Sequence, residues 1–383
     1  MSHLKQLSSH GQSVWLDFIR RKLLSSGELA RLIADDGLRG LTSNPAIFEK
    51  AIGGSNDYDA TLETFVDLGI HDPRQIFEAL AVTDIQHAAD LFLGVYHESQ
   101  ATDGYVSLEV SPQLANDASA TISEARRLWA AVNRPNLMIK VPGTASSLTA
   151  IRRLIGEGIN INVTLLFSRA AYREVARAYI DGIADFIKQG GDPRHVASVA
   201  SFFISRIDAQ VDAEIETRVA GGDPDAAGLQ ALIGKLAIAN AKLAYQDYLE
   251  LFSSDRWEAM AAQGAQTQRL LWASTGTKNP SYRDTLYVDE LIGEHTVNTM
   301  PPATMDAFRD HGTAADTLTH RVEQAREQIK AAAKLAIPLE AITDRLVREG
   351  IKQFEDADAK LIAAVQAKVD AIRSGKSTEP LHG

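Results

Sequence analysis

The stretch NLMIKVPGT, residues 136–144, combines the pattern of a buried β-strand with a lysine in its middle. Residues 137–141 are apolar apart from Lys140, and the Pro-Gly pair that follows predicts a turn. A lysine is rarely buried without a partner, and burial favours the neutral amine, which can attack a carbonyl carbon. Lys140 is therefore either a Schiff-base candidate or a lysine at a strand end whose head group reaches solvent.

Short apolar segments alternate with helical patterns along the chain before residue 305. The predicted strands are 14–18, 38–43, 105–110, 137–141, 159–166, 196–204, 269–274 and 296–300. Eight strands alternating with helices predict an α/β protein with a closed (β/α)₈ TIM barrel, to which additional helices are attached. A doubly wound open sheet is the alternative, but neither a GxGxxG nor a GxxxxGK[ST] motif is present to support its nucleotide-binding forms.

Polar side chains lie inside or directly after these apolar segments, where few would be expected. They are Asp17, Asn44, Glu109, Lys140, Asn162, Thr164 and Ser201. Catalytic residues of such barrels lie at the carboxyl ends of the strands, so these side chains are predicted to converge on one axis. Asn44 has a second reading, because it precedes a proline and a helical pattern and can be a simple N-cap.

A lysine flanked by two carboxylates suits imine chemistry. One carboxyl group would accept the proton of a substrate hydroxyl during carbon–carbon cleavage, and the other would manage the water lost and regained at the imine carbon. This chemistry needs no metal and no cofactor. A purely structural ion-pair network is the alternative, although buried networks of this kind are a poor source of stability.

The composition limits the classes of partner. The chain has 39 basic and 50 acidic residues, a net charge of -11, and no cysteine. The acidic balance disfavours binding to nucleic acid or anionic membranes, and the lack of cysteine excludes disulfides and thiol nucleophiles. The first residues are polar, and no apolar run is long enough to span a bilayer, so we expect a cytoplasmic protein.

No linker or repeat divides the chain. We predict a barrel catalytic domain over residues 10–305, C-terminal helices packing on the barrel over 306–373, and a disordered tail over 374–383.

Six collinear motifs between about residues 10 and 305 resemble the transaldolase family, in its longer, Schiff-base-forming bacterial type. They are LTSNPAIFEKAI, VSLEV, LMIKVPGT, NVTLLFS, VASVASFFISRID and WASTGTKNP. The resemblance implies a class I (β/α)₈ barrel that acts in the pentose phosphate pathway. Such an enzyme transfers a dihydroxyacetone unit from sedoheptulose 7-phosphate to glyceraldehyde 3-phosphate and yields erythrose 4-phosphate and fructose 6-phosphate.

The resemblance also implies roles for individual residues. Lys140 matches the Schiff-base lysine and Asp17 the acid-base residue for the C4 hydroxyl. Glu109 and Thr164 match the pair that holds the catalytic water. The residues implied for substrate binding are Asn44, Asn162, Ser201, Arg206, Ser274 and Lys278.

The phosphate site departs from the family's pattern. Arg206 and Ser274 match phosphate-binding positions, but the loop STGTKNP offers Lys278 where an arginine is usual. A guanidinium holds phosphate through two parallel hydrogen bonds, whereas lysine acts as a point charge. Lys278 is therefore the expected second cation, acting as a point charge.

Two other functions stay open at this stage. A fructose 6-phosphate aldolase of the same superfamily would cleave the donor without transfer, but Glu109 and the long connections argue against it. A non-catalytic sugar-phosphate binding protein would have no need of a buried amine. The expected partners are sugar phosphates, and the sequence gives no oligomeric state.

Overall fold

Parallel strands close into a barrel in a computed structural model of the chain, which describes residues 2–375. The strands are β1 (Gln12–Asp17), β2 (Gly40–Thr42), β3 (Tyr105–Glu109), β4 (Leu137–Pro142), β5 (Ile161–Leu166), β6 (Ser198–Phe203), β7 (Arg269–Ala273) and β8 (Thr296–Met300). Each pairs with its successor, and β1 closes the ring against β8. The predicted TIM barrel is confirmed, and the open doubly wound sheet is wrong.

Seventeen α-helices occur within the described range, most of them in the connections between strands. The first nine are α1 (His3–Ser9), α2 (Arg21–Ser25), α3 (Glu28–Asp36), α4 (Pro45–Gly53), α5 (Asp59–Asp67), α6 (Pro73–Glu98), α7 (Ala118–Val132), α8 (Leu148–Ile155) and α9 (Arg169–Lys188). The remainder are α10 (Ser205–Ala220), α11 (Ala226–Gln230), α12 (Leu236–Leu251), α13 (Asp255–Ala261), α14 (Leu286–Asp289), α15 (Pro302–His311), α16 (Val322–Lys334) and α17 (Leu339–Arg373).

The strands read as continuous apolar runs because they are covered on both faces. Every residue of β4, β5 and β6 is buried, between the barrel interior and the surrounding helices. Parallel sheets covered by helices on their outer face have this composition, and a polar residue in such a strand therefore needs a special reason. This is why the interrupted apolar runs were informative in the sequence.

The register of the strands brings the interrupting residues together. Glu109 of β3 pairs with Lys140 of β4, and Lys140 pairs with Asn162 of β5. On the two preceding strands, Asp17 of β1 pairs with Thr42 of β2. Paired residues of parallel strands face the same side, so these polar side chains gather at the carboxyl end of the barrel.

The chain after β8 is helical, but its first helix is short. α15 ends at His311, and α16 begins only at Val322. The intervening segment bonds instead to the loop before β8, since Leu318 N donates to Ile292 O (2.9 Å). Tertiary hydrogen bonds here override local helix propensity.

The longest helix, α17, crosses the carboxyl end of the barrel. Its 35 residues extend for about 50 Å. Gly350 lies against Leu165 of β5, Asp358 pairs with Arg74 of α6 (2.8 Å), and Lys368 pairs with Asp59 of α5 (2.6 Å). The helix is therefore anchored on both sides of the barrel mouth.

The predicted tail over 374–383 lies mostly beyond the part that the structure describes. Ser374 ends α17 with a backbone hydrogen bond to Asp370 O (3.1 Å), and residues from 376 onward are outside the described range. Among residues 2–375, no helix is both long and apolar enough to cross a lipid bilayer.

Candidate active site at the carboxyl end of the barrel

A cavity of about 200 Å³ opens at the carboxyl end of the barrel. Its walls come from the ends of β1, β2, β4 to β8, their following loops, and α17. The predicted site residues that line it are Asp17, Asn44, Lys140, Thr164, Ser201, Arg206, Ser274 and Lys278. The other two, Glu109 and Asn162, lie directly behind this wall and contact Lys140 and Ser201 respectively.

Lys140 is buried in the cavity wall. Only 5% of it is exposed, and its Nζ donates to the carbonyl oxygen of Ser43 (3.2 Å). The same nitrogen lies 3.5 Å from Glu109 Oε2 and 5.7 Å from the centre of the Phe354 ring. The head group therefore does not reach bulk solvent, which removes the alternative of a snorkelling lysine.

Glu109 is a carboxyl group in an unusually poor environment for a charge. Both of its oxygens are buried without a hydrogen-bond partner in the described part of the chain. Burial raises the pKa of Glu109 to about 7, against the opposing attraction of Lys140. A carboxyl group with this pKa can both donate and accept a proton near neutral pH.

Asp17 lies at the carboxyl end of β1 in a more polar setting. Its Oδ1 accepts a hydrogen bond from Thr42 Oγ1 (2.7 Å), which is also 2.7 Å from Thr299 Oγ1. Burial raises the pKa of Asp17, whereas the charge of Lys140 and the hydrogen bond from Thr42 lower it. Two carboxyl groups in different environments thus flank one amine, an arrangement typical of divided acid-base roles.

Asn162 is held by two serine side chains. Its Nδ2 donates to Ser107 Oγ (3.0 Å), and its Oδ1 accepts from Ser201 Oγ (2.7 Å). Of these three, only Ser201 lines the cavity, so the predicted contact between Asn162 and a substrate hydroxyl stays a prediction. Thr164 differs, because its buried Oγ1 lines the cavity wall and has no hydrogen-bond partner among residues 2–375.

Asn44 caps α4, as one of its two readings predicted. Its Oδ1 accepts from Ile47 N (3.0 Å), and Pro45 begins the helix. The same residue lines the cavity, so capping fixes the side chain at the barrel mouth. Its role as a substrate ligand stays a prediction.

The basic side of the cavity carries Arg206 and Lys278. Arg206 is half-buried near the start of α10, its Cζ lies 5.3 Å from the centre of the Phe203 ring, and its Nη1 donates to Gln353 Oε1 (2.7 Å). Burial lowers the pKa of Arg206, although Asp17 and Glu349 attract its charge. No carboxylate lies within 4.0 Å of either cation in the described structure, so both are available to an anion.

Ser274 lines the same cavity in a left-handed backbone conformation. Its φ is +57°, and its Oγ lies 2.9 Å from that of Ser205, the first residue of α10. A non-glycine residue in this region is held there by its surroundings and is a common feature of functional sites.

Several cavity residues were not singled out from the sequence. They are Thr42, Thr299, Phe203 and Phe354. The two threonines carry the same signal as the residues that were found, a polar side chain in a buried strand. The two phenylalanines carry no such signal, because an apolar residue of the cavity wall has the same pattern as a core residue.

Over the range that the structure covers, no three His, Asp or Glu side chains are close enough together to hold a metal ion. The chemistry available to the cavity is that of a buried amine, two carboxyl groups, hydroxyl groups and an unpaired guanidinium.

Known proteins resemble this chain over nearly its whole length. The family model for transaldolase/fructose-6-phosphate aldolase matches residues 14–365. A transaldolase 2 from a Nostoc species is 46% identical over 377 residues, which is 97% of this chain and 99% of that protein. The transaldolase of Thiobacillus denitrificans is 47% identical over 366 residues, 95% of this chain and 100% of the relative. The transaldolase of Neisseria gonorrhoeae is 46% identical over 363 residues, which is 95% of this chain and 99% of that protein.

A match to the family model over most of the residues, together with this identity over full-length relatives, agrees with the resemblance carried by the six motifs. The chain therefore belongs to the transaldolase/fructose-6-phosphate aldolase family.

Proposed function

We propose that this chain is a transferase of carbohydrate metabolism that carries out the transaldolase reaction through a Schiff base on Lys140. The donor is sedoheptulose 7-phosphate, the acceptor is glyceraldehyde 3-phosphate, and the products are erythrose 4-phosphate and fructose 6-phosphate. The single observation that carries the mechanism is the buried Lys140 amine, 3.5 Å from Glu109 and in a cavity that Asp17 also lines.

The Lys140 amine attacks the keto carbon of the donor, and loss of water gives the imine. Asp17 takes the proton from the C4 hydroxyl, the C3–C4 bond breaks, and the aldose product leaves. The electron pair of that bond enters the imine system as an enamine. The enamine then attacks the aldehyde carbon of the acceptor, and Asp17 returns its proton to the new C4 oxygen. Hydrolysis of the new imine frees the product and restores the amine.

Glu109 and Thr164 are the proposed holders of the water that leaves and returns at the imine carbon. Three buried oxygens, two on Glu109 and one on Thr164, lack partners among the described residues. Buried polar atoms normally have partners, and an ordered water is a common one. A pKa of about 7 for Glu109 lets the carboxyl group give and take the protons of these steps.

Arg206, Ser274 and Lys278 are the proposed ligands of the substrate phosphate. Asn44, Asn162 and Ser201 are the proposed ligands of the substrate hydroxyl groups. Arg206 fits its role well, because a half-buried guanidinium without a carboxylate partner can offer several donors to a phosphate group.

We further propose that residues 10–305 form the catalytic domain and that the helices of 306–373 complete it. The acidic charge and the lack of cysteine fit a cytoplasmic enzyme with sugar phosphates as its partners. The mechanism as proposed uses neither a metal nor a cofactor.

The decisive experiment treats the protein with fructose 6-phosphate and borohydride, followed by intact-mass measurement and peptide mapping. A reduced dihydroxyacetone adduct on Lys140 supports the mechanism. Addition of erythrose 4-phosphate then separates transfer from simple cleavage, because a transferase forms sedoheptulose 7-phosphate and releases little free dihydroxyacetone. A folded protein that forms no adduct would overturn the proposal.

A further inference from the structure

Arg206 is contacted by the C-terminal helix as well as by the barrel. Its Nη1 donates to Gln353 Oε1 of α17 at 2.7 Å, and this is its one side-chain hydrogen bond in the described range. Its guanidinium also lies over the Phe203 ring at 5.3 Å. The group is thus fixed on one side by an aromatic face and on another by a neutral amide.

The neutral partner is unusual among the arginines near the barrel mouth. Arg74 pairs with Asp358 (2.8 Å), Arg21 with Asp84 (2.9 Å) and Arg20 with Asp57 (2.6 Å). An amide oxygen orients a guanidinium without neutralising it, so the positive charge of Arg206 stays available. Four of its five N–H donors remain for other acceptors.

A competing carboxylate lies one turn away on the same helix. Glu349 precedes Gln353 by four residues, so the two side chains share a face of α17. Glu349 is close enough to Arg206 for its charge to act on that guanidinium, while its Oε1 lies 3.8 Å from Arg345 Nε. If Arg206 turned toward Glu349, it would form an internal ion pair and lose its attraction for a phosphate.

We propose that Gln353 is a positioning residue for phosphate recognition, which holds the Arg206 guanidinium toward the cavity and away from Glu349. This inference rests on the proposed function, since it deepens the phosphate role assigned there to Arg206. It also gives α17 a part in substrate specificity, although the helix lies far along the chain from the strands that carry the catalytic residues.

The side chain can be changed without releasing the helix. Gln353 itself is exposed, whereas α17 is anchored by Arg345 to Gln210 (2.9 Å) and by the buried Lys368 to Asp59 (2.6 Å). Loss of one exposed amide should therefore leave the fold and the helix position unchanged.

The test compares Gln353→Ala and Gln353→Glu with the unaltered enzyme, using fructose 6-phosphate and unphosphorylated dihydroxyacetone. Hydrogen bonds to charged groups are worth enough that we expect Gln353→Ala to raise the KM for fructose 6-phosphate about tenfold. Gln353→Glu should raise it further, because a carboxylate on the guanidinium competes directly with phosphate. The rate of adduct formation with dihydroxyacetone should be unchanged in both variants.

A second substitution that restores substrate affinity would separate the positioning of Arg206 by Gln353 from a general structural effect of Gln353→Ala. Adding Glu349→Gln to the Gln353→Ala variant removes the competing charge and should restore most of the affinity for fructose 6-phosphate. Gln366→Ala is the matched control, since Gln366 is a partly exposed amide of the same helix whose side chain bonds only to Asp370 among the described residues. This control should leave unchanged both the KM for fructose 6-phosphate and the rate of adduct formation with dihydroxyacetone.

The inference is overturned if Gln353→Ala leaves the KM for fructose 6-phosphate unchanged, if both substrates are affected alike, or if Glu349→Gln fails to rescue. Its failure is distinguishable from failure of the proposed function. If only the inference about Gln353 fails, the unaltered protein still forms the borohydride-trapped adduct with both substrates. If the proposed function fails, the unaltered protein forms no adduct.

Discussion

Lys140 and Glu109 occupy paired positions on adjacent strands, with Nζ 3.5 Å from Oε2 and both side chains almost completely buried. The pair is long for a charge-assisted hydrogen bond, and the carboxyl oxygens have no other partner in the described structure. A structural ion pair would be expected to satisfy its oxygens better than this. The geometry leaves room for a small polar molecule beside the amine, as imine chemistry requires.

Replacement of Lys140 by alanine should abolish imine formation and leave the protein folded. The change removes the amine together with its buried hydrocarbon stem, but this side chain lines an existing cavity. Glu109, whose pKa burial already raises to about 7, can become neutral once Lys140 is gone, so no unpaired charge is left in the core. The measurement is intact mass after treatment with fructose 6-phosphate and borohydride, with circular dichroism to verify folding. A residual adduct would assign the nucleophile to another residue.

The pKa of Glu109 predicts how stability depends on pH. Folding raises this pKa from 4.5 to about 7, so between these values the folded state binds a proton that the unfolded state has released. The free energy of unfolding should therefore fall as pH rises through this window, by roughly 3 kcal/mol from this group, and level off above it. Glu109→Gln should remove that contribution to the slope.

The comparison uses urea unfolding at pH 4.5 and pH 8 for both proteins, because other buried carboxyl groups such as Asp208 contribute to the slope as well. Glu63→Gln is the matched control, since Glu63 is exposed on α5. Equal slopes for the unaltered protein and Glu109→Gln would show that Glu109 titrates normally in the folded state.

The barrel was predictable because each strand is a short apolar run that can be recognised from neighbouring residues alone. Buried parallel strands must be apolar, so the lysine of β4 and the carboxyl groups of β1 and β3 stood out against their neighbours. The strand order then followed from alternation with helices. All predicted site residues lie in or directly behind one cavity wall, although their individual roles remain predictions.

The contribution of α17 could not be predicted in the same way. Nothing in its alanine-rich and charged sequence indicates that Phe354 lies over Lys140 or that Gln353 contacts Arg206. These contacts join residues more than one hundred positions apart, and the helix crosses the barrel mouth only because distant anchors hold it there. Thr42 and Thr299 were missed for a different reason, because threonine is common in β-strands and attracts little attention there.

Asp17→Asn should separate carbon–carbon cleavage from imine formation. Asparagine keeps the shape of the side chain but cannot accept the proton of the C4 hydroxyl. We expect the rate of transfer to fall by roughly 10² to 10⁴, a loss typical of a missing general base. Adduct formation with dihydroxyacetone, which has no C4 hydroxyl, should continue. Loss of the adduct as well would place Asp17 in imine formation rather than cleavage.

Arg206→Ala should weaken the binding of phosphorylated donors far more than that of dihydroxyacetone. Removal of a bidentate guanidinium is expected to raise the KM for fructose 6-phosphate by roughly tenfold to a hundredfold. Arg206→Lys keeps the charge but loses the planar fork, so it should recover only part of the affinity. Steady-state kinetics with both substrates make the comparison, and equal losses would remove Arg206 from the phosphate site.

Phe354→Ala should shift the enzyme from transfer toward free cleavage. Phe354 is 6% exposed and its ring centre lies 5.7 Å from Lys140 Nζ, so it covers the amine from the side of α17. A cover of this kind keeps water away from the enamine, which must wait for the acceptor aldehyde. Removing the ring should admit water, hasten protonation and hydrolysis of the enamine, and release dihydroxyacetone. The ratio of dihydroxyacetone released to sedoheptulose 7-phosphate formed should rise severalfold.

Two controls isolate the covering role from loss of packing. Truncation of a buried phenylalanine costs roughly 3 kcal/mol, so activity should be measured well below the unfolding temperature. Phe354→Leu refills most of the volume and should restore the ratio. Phe308→Ala removes a buried ring of α15 that does not line the cavity, and it should lower stability without changing the ratio. An unchanged ratio in Phe354→Ala would mean that water is excluded by the substrates themselves rather than by the helix.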